Sequence, residues 1–260
     1  MNDMKICFFG TDRPGSLKAI EYLSEKEDLF LTCVCDSKNI LYEFCIEKSI
    51  EVYTNTEISQ QKKTFIGYDF GISYLFTKII KGHTIKEFSG GIFNFHPAPL
   101  PEHKGIGGCC YALLHNYDYW GVTAHFVEET LDTGNIVEAI KFPISQGLTA
   151  VQLEKIIQKK LLELFKGVVN RLCDGEKLIG VSQKKEGHYY SRKDLTAAKK
   201  VSLEEGASAI NQKINALWLP PYEGVYIEKE GKRFYLINKN ILTEIGKLHE
   251  KNYNLEEKND

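Results

Sequence analysis

The sequence predicts an α/β fold: a Rossmann-like, mainly parallel sheet flanked by helices, followed by a small C-terminal extension of helix and β-hairpin. Three observations carry this. Short apolar runs alternate with helical patterns through the first half of the chain, the order that builds β-α-β units. A long amphipathic pattern then spans 149–172, with apolar side chains at Leu153, Ile156, Ile157, Leu161, Leu164, Phe165 and Val168. Beyond Gly180 the composition turns polar and aromatic, ending in YIEKEGKRFYLI, which alternates about a Glu-Gly turn as a hairpin does.

The elements follow in order. Residues 5–9 form a compact apolar strand closed by Gly10, and LKAIEYL after Ser16 has helical spacing. FLTCVC (30–35) reads as a second strand and 40–48 as a second helix. Further strands fall at 68–73 and 92–95, then at VTAHFV and NIVEAIKFPI. Past the long helix, 203–217 reads as one more helix, ended by Trp218-Leu-Pro-Pro, and the charged tail after Lys247 is expected to fray. These patterns divide the chain into a sheet domain, 1–180, and an extension, 181–260.

Composition narrows the function. Lys and Arg number 33 against 35 Asp and Glu, a net charge of −2, which gives no reason to expect a nucleic-acid partner, since such partners usually demand a basic surface. No run approaches the roughly 18–20 apolar residues of a membrane span, and MNDMKICFFG reads as a first strand in place of a signal peptide. Seven cysteines, with Cys109 and Cys110 adjacent, form neither a disulfide framework nor a zinc-type CxxC pair. Buried thiols at Cys33 and Cys35 and a reducing cytoplasm are expected.

The stretch GIFNFHPAPLP, 91–101, carries the chemistry. In a strand, residues two apart share a face, so Asn94 and His96 project together and Phe93 and Phe95 oppose them. Burying such polar groups without partners costs roughly 1–3 kcal/mol each. Pro97, Pro99 and Pro101 cannot continue a sheet ladder but fix a rigid loop in which one X-Pro bond is a candidate for cis. GTDRPG near the N-terminus is neither GxGxxG nor a P-loop, so a dinucleotide is disfavoured. A metal is disfavoured too, because no Cys or carboxylate lies near His96 and His103 at ligand spacing. His125, within VTAHFV, reads as a hydrogen-bonded strand residue. Asp132 lies 36 residues after His96, ahead of a turn at Thr133-Gly134.

NFHP, LPEHKG, GVTAH and DTG, occurring in that order, resemble the folate-dependent formyltransferase family over about residues 5 to 145. The resemblance implies transfer of a formyl group from N10-formyltetrahydrofolate to a primary amine. It places the family's triad on Asn94 as oxyanion stabiliser, His96 as general base and Asp132 as the acid that orients it. It also implies folate binding by main-chain groups of two loops, at Lys78 and Ile80 in YLFTKIIKG and at Glu128, Glu129, Leu131 and Asp132. HPAPLPEHKGIGG and INQKINALWLPPYEGVYI are most similar to the branch that formylates nucleotide-linked amino sugars, although His103 and Asn215 stand where Tyr and Arg are usual. A dTDP-linked 3-amino- or 4-amino-6-deoxyhexose is the implied acceptor, for lipopolysaccharide or another surface glycan, with a cytoplasmic homodimer as the implied form. Lys104, Gly105 and Gly107 are candidates to approach this acceptor. Arg192, Asn211 and Lys213 are candidates for its phosphates, and Tyr189 and Trp218 for stacking on its base. Glycinamide ribonucleotide is the alternative acceptor, and a non-catalytic sugar-nucleotide binding protein the alternative of another class.

Overall fold

The computed structural model describes residues 3–183 and 187–256, the last nine by backbone alone. The chain begins with β1 (Met4–Gly10), α1 (Pro14–Ser24), β2 (Leu29–Cys35), α2 (Ile40–Glu47), β3 (Glu51–Thr54) and α3 (Asn55–Ser59). Next come β4 (Phe70–Tyr74), α4 (Gly82–Ile85), β5 (Ile92–His96), β6 (His103–Gly105) and α5 (Gly108–Leu114). β7 (Tyr119–Phe126), β8 (Ile136–Pro143) and the long α6 (Ala150–Cys173) follow. β9 (His188–Tyr190), α7 (Arg192–Ala198), α8 (Ala207–Leu217), β10 (Tyr226–Lys229), β11 (Lys232–Tyr235) and α9 (Lys239–Glu256) complete the order.

Seven strands make one sheet in the order β3-β2-β1-β4-β5-β7-β8. The first five are parallel, and β7 joins antiparallel to β5. The chain winds outward from β1 to β3, then crosses back to β4. In such sheets ligands are met beyond the carboxyl ends of the strands, near this reversal. Ser73 of β4 and Asn94 and His96 of β5 lie at those ends.

Two compact units interleave along the sequence. One comprises 1–104, 121–141 and 157–188; the other comprises 105–120, 142–156 and 189–260. The break expected at 180 thus falls inside the first unit, and the second also takes up α5 and the segment leading into α6.

In the first unit α6 buries Ile157, Leu161, Leu164, Phe165 and Val168, as its pattern requires. The Phe165 ring meets Tyr22, Tyr74 and Phe95 edge-on, with centroids 5.1–6.2 Å apart, which ties β4 and β5 to the helix. A second cluster joins Cys7, Phe9, Val34, Phe65, Tyr68, Phe88 and Ile92, with Phe76, Ile80, Ile85 and Val127 packed on it. Cys33 and Cys35 are fully buried, as expected.

In the second unit α8 packs against α5 and α9, and β10 and β11 form the expected hairpin. α8 starts at Ala207, four residues later than its sequence pattern suggests, because Ser202 and Glu205 close a local turn: Ser202 N–H donates to the Glu205 carboxylate and Glu205 N–H to the Ser202 carbonyl. The segment expected to fray is helical to Glu256; residues 257–260 lie outside the described range. Among the described residues no helix is long and apolar enough to cross a membrane.

Phe165→Ala should cost about 3–5 kcal/mol, the range for truncating a buried phenyl, when chemical denaturation compares it with the parent. A loss below 1 kcal/mol would show that the α6 contact does not brace the sheet.

Candidate functional site

Register builds the site. Ser73 pairs with Asn94 across β4 and β5, and Asn94 pairs with His125 across β5 and β7. The three side chains therefore stand in one row on one face of the sheet. The Ser73 hydroxyl donates to Asn94 Oδ1 at 2.8 Å, and Asn94 Nδ2 lies 3.0 Å from His125 Nε2. His125 Nδ1 is 2.8 Å from the Phe126 carbonyl. That carbonyl can only accept, so Nδ1 carries the proton and Nε2 presents a lone pair to Asn94. His125 is 2% exposed; burial first, and then the positive charge available to His96, push it down to about 4 against an opposing pull from Asp132. It is neutral at ordinary pH and remains an acceptor. One Asn94 N–H is thus spent on His125, the carbonyl faces Ser73, and the second N–H is left for a ligand.

His96 stands two residues further along the same face. Its Nε2 lies 2.9 Å from the His103 carbonyl and therefore donates to it, which puts the lone pair of the neutral ring on Nδ1. That carbonyl is brought back by the proline segment. Only Ala98 and Leu100 keep an N–H between the prolines, and Leu100 N–H donates to Thr123 Oγ1 while the Thr123 hydroxyl donates to the Ala98 carbonyl. His103 N–H closes the loop on Pro99, and the Leu100–Pro101 bond is cis. Nδ1 of His96 faces Asp132 Oδ1 at 3.8 Å, and the same oxygen is 3.7 Å from His125 Nε2. At these separations Asp132 acts as a nearby charge and not as a direct hydrogen-bond partner.

Asp132 is 7% exposed and sits at φ 55°, the left-handed region that Asp tolerates better than most residues. Its turn is held from both sides. The Gln183 side-chain amide donates to the Asp132 and Gly134 carbonyls at 3.1 and 2.7 Å. A side chain at Gly134 would run into the Phe126 carbonyl. The spacing of Asp132 and Gly134 thus encodes one bend that aims a carboxylate.

The two loops expected to hold a folate are neighbours. Gly82, closing 75–82, lies against the Glu129 side chain so closely that a Cβ would collide with it. Thr77 ties the first loop to Asp36 at 2.5 Å. Ile80 turns inward onto the Phe9–Phe88 cluster, whereas Lys78, Glu128, Glu129 and Leu131 are exposed.

The candidates for the acceptor are spread out. Lys104 is half-buried, and Gly105 and Gly107 adopt φ of 89° and 77° before α5, with Gly105 tight against the Tyr190 carbonyl. Tyr189 is half exposed. Lys213 is paired with Glu205 at 2.6 Å, and Trp218 is half-buried beside Gly224. Arg192 lines one cavity with Lys193, Lys200 and Tyr226, while Asn211 lines another. His125 and Ser73 were not singled out as site residues in the sequence. Alternation at Thr123 and His125 was visible; the register that brings His125 opposite Asn94 was not.

A model of the formyl transferase family matches residues 17–169. A methionyl-tRNA formyltransferase of Syntrophomonas wolfei is 30% identical over 156 residues, covering 60% of this chain and 49% of its own length. One from Ehrlichia canis is 25% identical over 252 residues, 90% of this chain and 80% of its own. The chain spans 49–66% of the length of the first three such relatives. In structure it is similar to a 4-N formyltransferase from Francisella tularensis (TM-score 0.79, 19% identity, 92% of this chain and 98% of that one). It is also similar to an N-formyltransferase from Helicobacter canadensis in complex with folinic acid and dTDP-3-aminofucose (TM-score 0.72, 22% identity, 88% and 86%).

Because His125 stays neutral in the folded chain down to about pH 4 and takes its proton near 6.5 when unfolded, the unfolded chain binds more protons between these values. Its share of stability is present above pH 6.5 and is lost as pH falls toward 4. His125→Gln, which does not titrate, should lose about 3 kcal/mol less than the parent over that window, read from urea midpoints. Equal losses would contradict the assignment.

Proposed function

We propose that this chain, which belongs to the formyl transferase family, transfers a formyl group from N10-formyltetrahydrofolate to the primary amine of a nucleotide-linked amino sugar. The observation that carries the reading is the orientation of Asn94: its carbonyl is held by Ser73 and one N–H by His125, so the other N–H is preset as a donor. Such a donor serves where negative charge develops on a carbonyl oxygen, and it does so without reorganising during the reaction.

The reduced folate supplies the formyl group, and residues 75–82 and 128–132 would hold it by main-chain contacts. The amine attacks the formyl carbon and His96 Nδ1 takes the proton it loses; the same proton is then given to N10 of the folate as the C–N10 bond breaks, leaving the formamide and tetrahydrofolate. A proton arriving there meets the Asp132 carboxylate, 3.8 Å away, which stabilises the imidazolium and keeps the ring turned. The Nε2–H bond to the His103 carbonyl prevents the ring from exchanging its two nitrogens. Asn94, His96 and Asp132 thus have separate tasks: charge stabilisation, proton acceptance and electrostatic support.

A sugar acceptor is supported by the likeness to a sugar N-formyltransferase from Shewanella sp. and to the Helicobacter canadensis enzyme, which was solved with folinic acid and dTDP-3-aminofucose. The net charge of −2 suits a small-molecule acceptor better than an RNA. The 30% identity to a methionyl-tRNA formyltransferase favours a second reading, formylation of an aminoacyl-tRNA. In the sugar reading the product enters surface-glycan assembly such as lipopolysaccharide, and the enzyme works in the cytoplasm. The β10–β11 hairpin, with Phe234 and Tyr235 half exposed, offers an edge for a homodimer.

Purified protein given formyl-folate should formylate one of a panel of dTDP- or UDP-linked 3-amino and 4-amino deoxyhexoses, with products identified by mass spectrometry. Product from charged initiator tRNA or glycinamide ribonucleotide alone would replace the acceptor; product from none would leave only the binding-protein reading. Asn94→Ala and His96→Ala should each lower kcat by about 10²–10³-fold, the scale of losing an oxyanion donor, with unfolding midpoints near the parent's. Near-parental rates in both variants would end the mechanism.

A further inference from the structure

The second unit contains a cavity of about 500 Å³, lined among others by Asn116, Tyr117, Asp118, Asn211, Gln212 and Asn215. It is independent of the formyl-transfer reading. No Lys, Arg or His is among its lining residues, and the one charged group is the Asp118 carboxylate. A phosphate would meet an uncompensated negative charge there.

The polar groups of the α8 wall are fixed from behind. Asn238 caps α9 by accepting the Ile241 N–H on its Oδ1 at 3.0 Å. Its Nδ2 therefore points the other way and donates to Asn211 Oδ1 and Asn215 Oδ1 at 2.6 and 2.8 Å. With both carbonyl oxygens engaged, the NH₂ groups of Asn211 and Asn215 are left as donors. Gln212 spends its Nε2 on the Leu113 and Leu114 carbonyls and keeps Oε1 as an acceptor. The wall is thus a preset mixture of donors and acceptors, with the Tyr117 ring and the apolar Leu113, Ile144 and Leu148 among the other lining groups.

We infer that this cavity is a carbohydrate site that takes a hexose ring bearing no phosphate. Ring hydroxyls both donate and accept, matching a mixed amide wall, and the C–H faces of a pyranose suit Tyr117 and the aliphatic side chains. An amino-hexose would gain a further contact with Asp118.

The test is titration of the full chain, without formyl donor, by methyl hexosides, methyl amino-deoxyhexosides, thymidine and inorganic pyrophosphate, followed through Asn side-chain NH₂ resonances. Hexosides or amino-hexosides should saturate and shift the Asn211 and Asn215 signals, whereas pyrophosphate should not. Asn238→Asp keeps the α9 cap but removes the NH₂ that holds both oxygens. The two amides then turn to donate to the new carboxylate and present oxygens to the cavity. Affinity should fall about tenfold while the unfolding midpoint stays close to the parent's. Asn211→Ala combined with Asn215→Ala should give at least the same loss. The site is overturned if no hexoside shifts these signals at tens of millimolar, if thymidine or pyrophosphate does so instead, or if Asn238→Asp binds as the parent does.

Discussion

A carboxamide has two ends that differ only in hydrogen bonding, and the site depends on which end of Asn94 faces which neighbour. The choice is made two bonds away, at the Phe126 carbonyl, which forces the proton of His125 onto Nδ1. Nε2 then has nothing to offer but a lone pair, so the Asn94 NH₂ must turn toward it and the oxygen must turn toward Ser73. Burial keeps His125 neutral and so keeps this chain of consequences intact at ordinary pH. The row exists only because β4, β5 and β7 are in one register. A slip of one residue would send all three side chains to the opposite face. Phe95 and Phe165, packed on that opposite face, oppose such a slip.

The same logic governs His96, with a loop in place of a strand. Prolines at alternate positions remove the N–H groups that a further strand would need, and Thr123 takes up the Ala98 carbonyl and Leu100 N–H that remain. The loop is therefore stiff enough to return a carbonyl to a defined place. Asp132 comes from a third segment and is pinned in a left-handed turn by Gln183 and by the lack of room at Gly134. Three segments, each locked by its own local bonds, meet around two imidazoles and a carboxylate. The buried polar groups cost little in this arrangement because almost every one has been given a partner.

The parallel sheet, the long helix and the terminal hairpin were legible because each carries a hydrophobic period that only one kind of element satisfies. Asn94, His96 and Asp132 were legible because polar residues inside an apolar strand, or at a turn, stand out in a linear chain. β3, α3, α5, α7 and the short β6 and β9 were not. They are brief, and their order comes from capping boxes at Thr54 and Ser191 and from positive-φ glycines, which a periodicity cannot register. The alternation in VTAHFV marks His125 as a strand residue that needs a hydrogen-bond partner, but its importance lies in which partner it meets. Pairing between strands distant in sequence is information that the alternation of one strand does not contain.

Charge separates the candidates in the second unit, where the sequence had grouped them. Arg192, Asn211 and Lys213 were joined by one expectation, contact with a diphosphate. Lys213 is already balanced by Glu205 at 2.6 Å, and Asn211 belongs to a wall without cations. Arg192 alone keeps company suited to phosphate: Lys193 and Lys200 line the same cavity, whereas Arg233, 4.5 Å over the ring of Tyr226, is itself paired with Glu223 at 3.2 Å. Lys200 is shared with Glu228 at 3.4 Å, an exposed pair that water screens. If any part of this unit meets a nucleotide's phosphates, electrostatics assigns it to the α7 cavity. The amide-lined one is left to chemistry that needs direction of hydrogen bonds more than it needs charge.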